Sequence, residues 1–253
     1  MKKGILKIAI LCFLSMFFIG ESFGQAALND SSYLQTTLTQ NVSNFYKSIG
    51  EQSRLYSGHE YLPYDPLIKG NALFPYDAQG WEPGEVVYDD ILYKNVPMMY
   101  DVYKDALVIL LYNKFTMYTL VKNRIHDFSF SNHHFIRLDA DSITNNNSRI
   151  VSGYYDQLYG GKIEILARRS KSIQNSSNSV VLVPEAFFAT KNEYYLRKGN
   201  TYYEIGGKGS ILSVLKDKKK ELQQYLRDNK IKYGANPEDA MAKMAAYYDH
   251  LTN

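Results

Sequence analysis

Cysteine is nearly absent from this chain, since Cys12 is the only one among 253 residues. Disulfide bonds within the chain are therefore excluded, and so is a thiol nucleophile outside the N-terminal segment that contains Cys12. A fold without disulfides depends on its apolar core, and 45% apolar residues provide enough material for one. Oxidising surroundings would leave such a fold unaffected.

Excess charge of either sign is also absent. The formal net charge of the whole chain is +3. The first 24 residues carry three lysines and one glutamate, so the remaining chain has a net charge of +1. A charge so close to neutral provides no general attraction to a phosphate backbone, and we therefore expect no nucleic-acid partner.

Long apolar runs are missing except near the N-terminus, where Ile5 to Ile19 follows a basic start. This run is too short to span a bilayer, and it precedes small residues suited to a cleavage site. The pattern predicts a signal peptide over residues 1–24, cleaved before Gln25, with no transmembrane span afterwards. An uncleaved anchor is the alternative, whereas lipidation is disfavoured because Leu11 precedes Cys12 in mid-run. We expect an exported protein that is periplasmic, outer-membrane-associated or secreted.

Several catalytic motifs are absent. The sequence contains no G-x-S-x-G nucleophile elbow and no G-x-x-x-x-G-K phosphate-binding loop. His59-Glu60 begins like a zinc-protease motif, but Pro63 occupies the position of the second histidine and would break the required helix. The sequence therefore predicts no metal site and no cofactor.

Aromatic residues are abundant, and 23 of them are tyrosines. Tyrosine favours strands, so this composition indicates a β-rich fold before it indicates a ligand. Val96, Met98, Tyr100 and Val102 share one parity, which is the period of a half-buried strand. Short polar breaks separate this stretch from two further apolar runs that end near Val121. Because short breaks permit only antiparallel neighbours, we predict an antiparallel meander that forms a barrel, a half-barrel or a sandwich.

Helical periodicity is confined to the two ends of the mature chain. Apolar residues recur at helical spacing over about 32–49, which predicts a short N-terminal helix. Residues 210–252 predict two C-terminal helices, and we expect the first, over about 210–229, to pack on the sheet. Four leucines share one face of that first helix: Leu212, Leu215, Leu222 and Leu226. Since no repeat and no long linker interrupts the chain, residues 25–253 are predicted to form one mainly β (α+β) domain.

Four charged residues are the candidates for a binding site. Asp101 and Asp105 could form a carboxylate pair of the kind that glycosidases use, although predicted turns also favour Asp for backbone reasons. Arg169 and Lys171 share one side of a predicted strand, with Arg168 on the other side. That pattern is typical of a solvated strand edge. No catalytic residue can be assigned from these positions.

Four segments of the chain resemble a group of exported bacterial proteins of unknown function. They are LYSGHEY at 55–61, NVPMMYDVYKD at 95–105, GYYDQLYGGKIEILARR at 153–169 and SILSVLKDKKKELQQYLRDNK at 210–230. The resemblance covers most of the mature chain, from about Leu55 to Tyr248. It implies an envelope or secreted location in a Gram-negative cell, and it implies no activity and no site residues.

Two functional hypotheses are consistent with these observations. The first is a non-catalytic exported β-domain that binds an unknown envelope partner or a small ligand. The alternative is a secreted hydrolase that uses the carboxylates of Asp101 and Asp105. A structure discriminates between them, because a cleft with two facing acids supports the hydrolase and a filled sheet with polar loops supports the binder.

Overall fold

The computed structural model describes residues 30–49, 54–76, 80–111, 113–143, 150–176 and 185–252. The predicted signal peptide and its cleavage position before Gln25 lie outside the described residues. Within the described residues, α-helices occur near both ends and the strands lie between them. The predicted mainly β fold with terminal helices is confirmed.

The described residues contain twelve strands, which form one antiparallel sheet. They are β1 His59–Glu60, β2 Leu73–Phe74, β3 Glu82–Tyr88, β4 Ile91–Asp101, β5 Ala106–Leu110, β6 Met117–Thr119, β7 Ile125–Phe130, β8 His133–Leu138, β9 Gly153–Gly160, β10 Ile163–Asn175, β11 Ala186–Lys198 and β12 Thr201–Glu204. Eleven strands follow the order β1-β6-β5-β4-β3-β7-β8-β9-β10-β11-β12, and β2 pairs with the end of β4. Among the described strands no pairing joins β1 to β12, so this sheet is open and does not close into a barrel.

The predicted meander corresponds to β4, β5 and β6. Val96, Met98, Tyr100 and Val102 are all buried, as their shared parity predicts. Asp101 is the exception to the alternation, because it is fully buried although it lies on the opposite parity. A buried carboxylate at this position requires hydrogen-bond donors from elsewhere in the chain.

Two-residue turns with positive φ at both positions join β3 to β4 and β7 to β8. The first turn is Asp89–Asp90 and the second is Ser131–Asn132. Positive φ at both positions defines the type I′ turn, whose twist matches that of the flanking strands. Asp and Asn tolerate this backbone region better than most residues. Because each turn has two residues, it also fixes which residues of the two strands face each other.

Aromatic rings from several strands pack together on one face of the sheet. Tyr100 of β4, Phe128 of β7, Phe135 of β8 and Tyr154 of β9 are fully buried. The ring centroids of contacting pairs lie 4.8–5.9 Å apart. Aromatic pairs at this spacing contribute about 0.5–1.5 kcal/mol beyond their burial. Part of the aromatic content of the chain is therefore used in the core.

The N-terminal helix α1 spans Asp30–Ile49, close to its predicted bounds. Residues 30–48 of this helix belong to a different compact unit from residues 49–253. Apolar residues recur along it at helical spacing, as predicted, and several of them are exposed: Leu34, Leu38 and Val42.

Three helices follow the sheet: α2 Lys208–Val214, α3 Lys219–Asp228 and α4 Pro237–Leu251. The sequence predicts one continuous helix over about 210–229, but Leu215 leaves the helical conformation with φ −96° and ψ 38°, and a 3-10 turn follows. The four predicted leucines are nevertheless buried, because α2 and α3 pack on one apolar cluster that includes Ile163 and Leu196 of the sheet. The predicted packing of the tail on the sheet is confirmed.

Asp249 fastens α4 to the hairpin between β9 and β10. Its carboxylate accepts the backbone N–H of Lys162 at 2.7 Å, the backbone N–H of Ile163 at 3.3 Å and the hydroxyl of Tyr159 at 3.1 Å. A Cβ atom on Gly161 would overlap both Asp249 Oδ2 and the Tyr159 hydroxyl. Glycine is therefore required at position 161 by the close approach of the helix.

Candidate functional site

A strap formed by residues 61–76 joins parts of the sheet that are distant in strand order. It begins beside β6, where the Tyr61 N–H donates to the Met117 carbonyl at 2.8 Å. It then reaches β11, where the Lys69 N–H donates to the Ala186 carbonyl at 2.9 Å. It ends at β2, which pairs with β4. The strap therefore connects β4 and β6 to β11 across the open sheet.

Asp101 anchors the start of the strap. Its Oδ2 accepts the Tyr61 hydroxyl at 2.9 Å and the Tyr64 hydroxyl at 2.6 Å. Its Oδ1 accepts the backbone N–H groups of Tyr103 and Lys104, both at 2.9 Å. These four donors offset the cost of burying the carboxylate, which would be several kcal/mol without hydrogen bonds.

Tyr61 and Tyr64 remain protonated at physiological pH. Burial raises the pKa of Tyr61 well above its ordinary value, and the charge of Asp101 raises it further. Burial also raises the pKa of Tyr64, and its hydrogen bond to Asp101 adds to the effect. Both hydroxyls therefore remain donors to Asp101, and neither is available as a base.

The tyrosine patch consists of Tyr61, Tyr64, Tyr103, Phe188 and Lys104. Tyr64, Tyr103 and Phe188 contact one another edge to face, with centroids 5.1–5.9 Å apart. The Lys104 ammonium lies 4.5 Å from the ring centroids of both Tyr61 and Tyr64. Such a cation–π contact contributes about 0.5–1 kcal/mol at an exposed site. Because Tyr103 is 42% exposed, one ring of the patch is open to solvent.

A groove of about 430 Å³ adjoins the tyrosine patch. It is lined by Tyr61, Leu62 and Lys104 and by residues at the end of β6. The Lys104 ammonium donates to the Leu62 carbonyl at 3.1 Å, which holds the ammonium beside the groove. His59 and Glu60 also line the groove and are exposed. The groove thus presents apolar surface together with hydrogen-bond donors and acceptors.

Asp105, the second carboxylate of the candidate pair, binds different partners from Asp101. The Tyr100 hydroxyl donates to Asp105 at 2.6 Å, and the Lys122 ammonium forms an ion pair with it. The Arg168 guanidinium lies 3.8 Å away. Tyr100 and Asp101 are neighbours in β4, so their side chains point to opposite faces of the strand. The two candidate carboxylates therefore have separate sets of partners.

Arg169 is buried at the junction of the sheet, the strap and α4. The expectation of a solvated strand edge is wrong here, because β10 lies between β9 and β11 and Arg169 is 4% exposed. Its guanidinium pairs with Asp156 and with Glu238 of α4, both at 2.5 Å, and lies 5.0 Å from the Phe74 ring centroid. Burial alone would lower the pKa of Arg169, but the two carboxylates outweigh burial and raise it. Arg169 therefore stays charged and fastens α4 to the sheet.

Lys171 holds the strap two positions further along β10. Its ammonium donates to the carbonyls of Asn71 at 2.6 Å and Leu73 at 3.0 Å. It also lies 5.1 Å from the Tyr76 ring centroid. Burial lowers the pKa of Lys171, and the charge of Asp101 partly opposes this shift. Lys171 and Arg169 thus lie on the same side of β10, as their parity predicts, and both are engaged with the protein.

Three of the four candidates from the sequence, Asp101, Arg169 and Lys171, contact the strap, while Asp105 binds other partners. Sequence reasoning missed the tyrosine patch itself, including Tyr103 and Lys104. Its only sequence signal is the concentration of aromatic residues in the turn-rich stretch before β3. That signal indicates aromatic rings that pack on the core. It does not reveal that Asp101 holds Tyr61 and Tyr64 beside the Lys104 ammonium.

The described residues contain no group of three or more histidine, cysteine, aspartate or glutamate side chains that could hold a metal ion. In the same part of the chain, no helix combines the length and apolar character needed to cross a membrane. Comparison with protein-family models, with curated proteins and with solved structures finds no match to this chain.

Proposed function

We propose that this protein is an exported, non-catalytic β-domain that binds a small hydroxyl-rich ligand, such as a saccharide, at the tyrosine patch and the adjoining groove. The observation that carries the proposal is the arrangement around Asp101, which holds the rings of Tyr61 and Tyr64 within 4.5 Å of the Lys104 ammonium. Side chains that are ordered before a ligand arrives lose less conformational entropy on binding. The patch is therefore suited to recognition.

The chemistry of this surface matches that of a sugar. The apolar C–H face of a sugar ring packs on an aromatic ring, and Tyr103 presents a partly exposed one. Sugar hydroxyls both donate and accept hydrogen bonds, and the groove offers Lys104 as a donor and Glu60 as an acceptor. Leu62, which is 67% exposed, adds apolar surface beside them. The volume of the groove is within the range of small-ligand sites, about 300–1,000 Å³.

Tyr103→Ala is expected to weaken saccharide binding about fivefold to tenfold, because it removes the exposed ring of the patch. The mature protein is titrated with cellobiose, maltose and chitobiose, and binding is followed by NMR chemical shifts. Tyr203→Ala is the matched control, because Tyr203 on β12 is 38% exposed and lies outside the patch. The control should bind like the wild type.

Absence of binding to all three disaccharides, or equal weakening by the two tyrosine substitutions, would contradict the proposed site. Chromatography of the titration mixtures provides a further check on the non-catalytic role. Cleavage of a disaccharide would contradict the non-catalytic role and support the alternative function, a secreted hydrolase.

The proposed location outside the cytoplasm is supported by the signal-peptide pattern of residues 1–24 and by the resemblance to exported proteins. We expect the mature chain to begin at Gln25 and to occur in the envelope or the medium of a Gram-negative host. Intact-mass spectrometry of these fractions measures the N-terminus. Met1 retained in the envelope fraction would show an uncleaved leader, and protein confined to the cytoplasm would contradict export.

A further inference from the structure

Positive charge is concentrated in the segment from Lys208 to Lys232, which contains α2 and α3. This segment has eight lysine or arginine residues and three acidic residues, a net charge of +5. The whole chain has a formal net charge of +3, so all other residues together carry −2. The near-neutral total therefore conceals one strongly basic region.

The acidic residues within this segment are engaged by other groups. Asp217 forms an ion pair with Lys198 of β11 at 3.1 Å and accepts the Tyr248 hydroxyl at 2.9 Å. Glu221 lies 4.0 Å from Lys218. Asp228 accepts a hydrogen bond from the side-chain amide of Gln224. These contacts leave most of the cations in the segment without a neutralising carboxylate.

Four of the cations surround a pocket of about 510 Å³: Lys208, Arg227, Lys230 and Lys232. All four are exposed, and none forms an ion pair with an acid elsewhere in the described chain. Leu226 and Ile231 also line the pocket, so cationic groups stand around an apolar wall. This combination fits a ligand with a negatively charged group next to apolar carbon atoms.

The basic surface extends beyond the pocket along α3. Lys219, Gln223 and Arg227 are spaced four residues apart and therefore share one face of the helix. Gln223 and Arg227 line the pocket, and Lys219 continues the row toward the start of α3. A single small anion would contact only the pocket, whereas an extended negatively charged surface would also contact this row of side chains.

We propose that this basic face binds the anionic surface of a lipid bilayer, with a lipid phosphate in the pocket and the adjacent apolar carbons against Leu226 and Ile231. Each lysine or arginine near an anionic bilayer strengthens partitioning by about fivefold. The proposal is independent of saccharide binding, because the basic face shares no residue with the tyrosine patch. It places the protein at a membrane surface through charge attraction and apolar contact.

Co-sedimentation of the mature protein with vesicles tests the proposal. The wild type should bind vesicles of phosphatidylglycerol mixed with phosphatidylcholine, and binding should fall in about 1 M salt, where charges are screened beyond about 3 Å. Lys208→Gln combined with Lys232→Gln should lower the partition coefficient by about 25-fold. Lys94→Gln combined with Lys191→Gln is the control, because both lysines are exposed, lie on β4 and β11, and produce the same change in net charge.

Equal binding to vesicles of phosphatidylcholine alone, or an equal loss in the control variant, would overturn the proposal. Displacement from anionic vesicles by inorganic phosphate at constant ionic strength would overturn it as well, since it would identify a site for free phosphate. The variant Lys208→Gln with Lys232→Gln should still bind disaccharides like the wild type. Failure of one proposal can therefore be distinguished from failure of the other.

Discussion

Arg169→Met is expected to lower the free energy of unfolding by about 3–5 kcal/mol. The substitution keeps much of the side-chain volume but removes the cation that pairs with Asp156 and Glu238. Asp156 is 1% exposed, so its charge would remain buried without its arginine partner and would retain its desolvation cost. Equilibrium unfolding in urea, followed by circular dichroism, measures the loss.

A second substitution separates the effect of charge from the effect of packing. Asp156→Asn in the Arg169→Met background removes the buried negative charge and should recover part of the lost stability. A double variant that is no more stable than Arg169→Met would show that the loss arises from altered packing, and the ion-pair explanation would then be wrong.

The pH dependence of the free energy of unfolding provides an independent check on the same ion pair. Burial raises the pKa of Glu238, but the hydrogen bonds from Arg169 and Tyr194 outweigh burial, and the net pKa in the folded state is lowered. The stability that this shift contributes is present above the unfolded pKa of about 4.3 and is lost as the pH falls through the folded pKa. The stability difference between the wild type and Arg169→Met should therefore be larger at pH 7 than below about pH 4.

Leu222→Ala is expected to lower the free energy of unfolding by about 2–5 kcal/mol. Leu222 is fully buried in a cluster that includes Ile165 and Leu196 of the sheet and Met244 of α4. Truncation removes apolar contacts and leaves a cavity that the surrounding side chains fill only in part. In a domain of this size each kcal/mol lowers the melting temperature by roughly 2–4 °C, which differential scanning calorimetry resolves.

Lys219→Ala is the control for Leu222→Ala, because Lys219 lies on the same helix and is exposed. Its effect should stay within about ±0.5 kcal/mol. If both substitutions leave the melting temperature unchanged, the helical tail does not contribute to the stability of the sheet. It would then behave as a separable arm, in which Leu222 matters only for complex formation.

Local periodicity accounts for the parts of the fold that the sequence predicts. The parity of Val96, Met98 and Tyr100 depends only on neighbours in the chain, and burial on one face follows from it. The leucines of α2 and α3 are predictable for the same reason. The break at Leu215 is not predictable, because several helical arrangements keep the same leucines together and tertiary packing selects one of them.

The candidate site is predicted less well, because a charged residue in a predicted strand is compatible with two opposite environments. It can lie on a solvated edge, or it can be buried beside groups of opposite charge. Arg169 in β10 favours a solvated edge, since a buried charge without partners is costly. Its burial is offset by Asp156 and Glu238, which are 13 and 69 residues away in the sequence. No local pattern around Arg169 indicates either partner. Asp101 is likewise predicted as a turn residue, and its role depends on hydroxyl groups from the strap.

By itself the sequence determined the β-rich class, the helical ends, the absence of disulfides and the lack of recognisable catalytic motifs. These properties depend on composition and on spacings of a few residues. The tertiary structure alone decided that the sheet is open, that the strap crosses it and that the tyrosine patch forms around Lys104. Tyr64 reaches Asp101 across 37 residues, and Lys171 reaches Asn71 across 100. Side chains so far apart in the chain meet only through the curvature and strand order of the whole sheet, which no short stretch of sequence specifies.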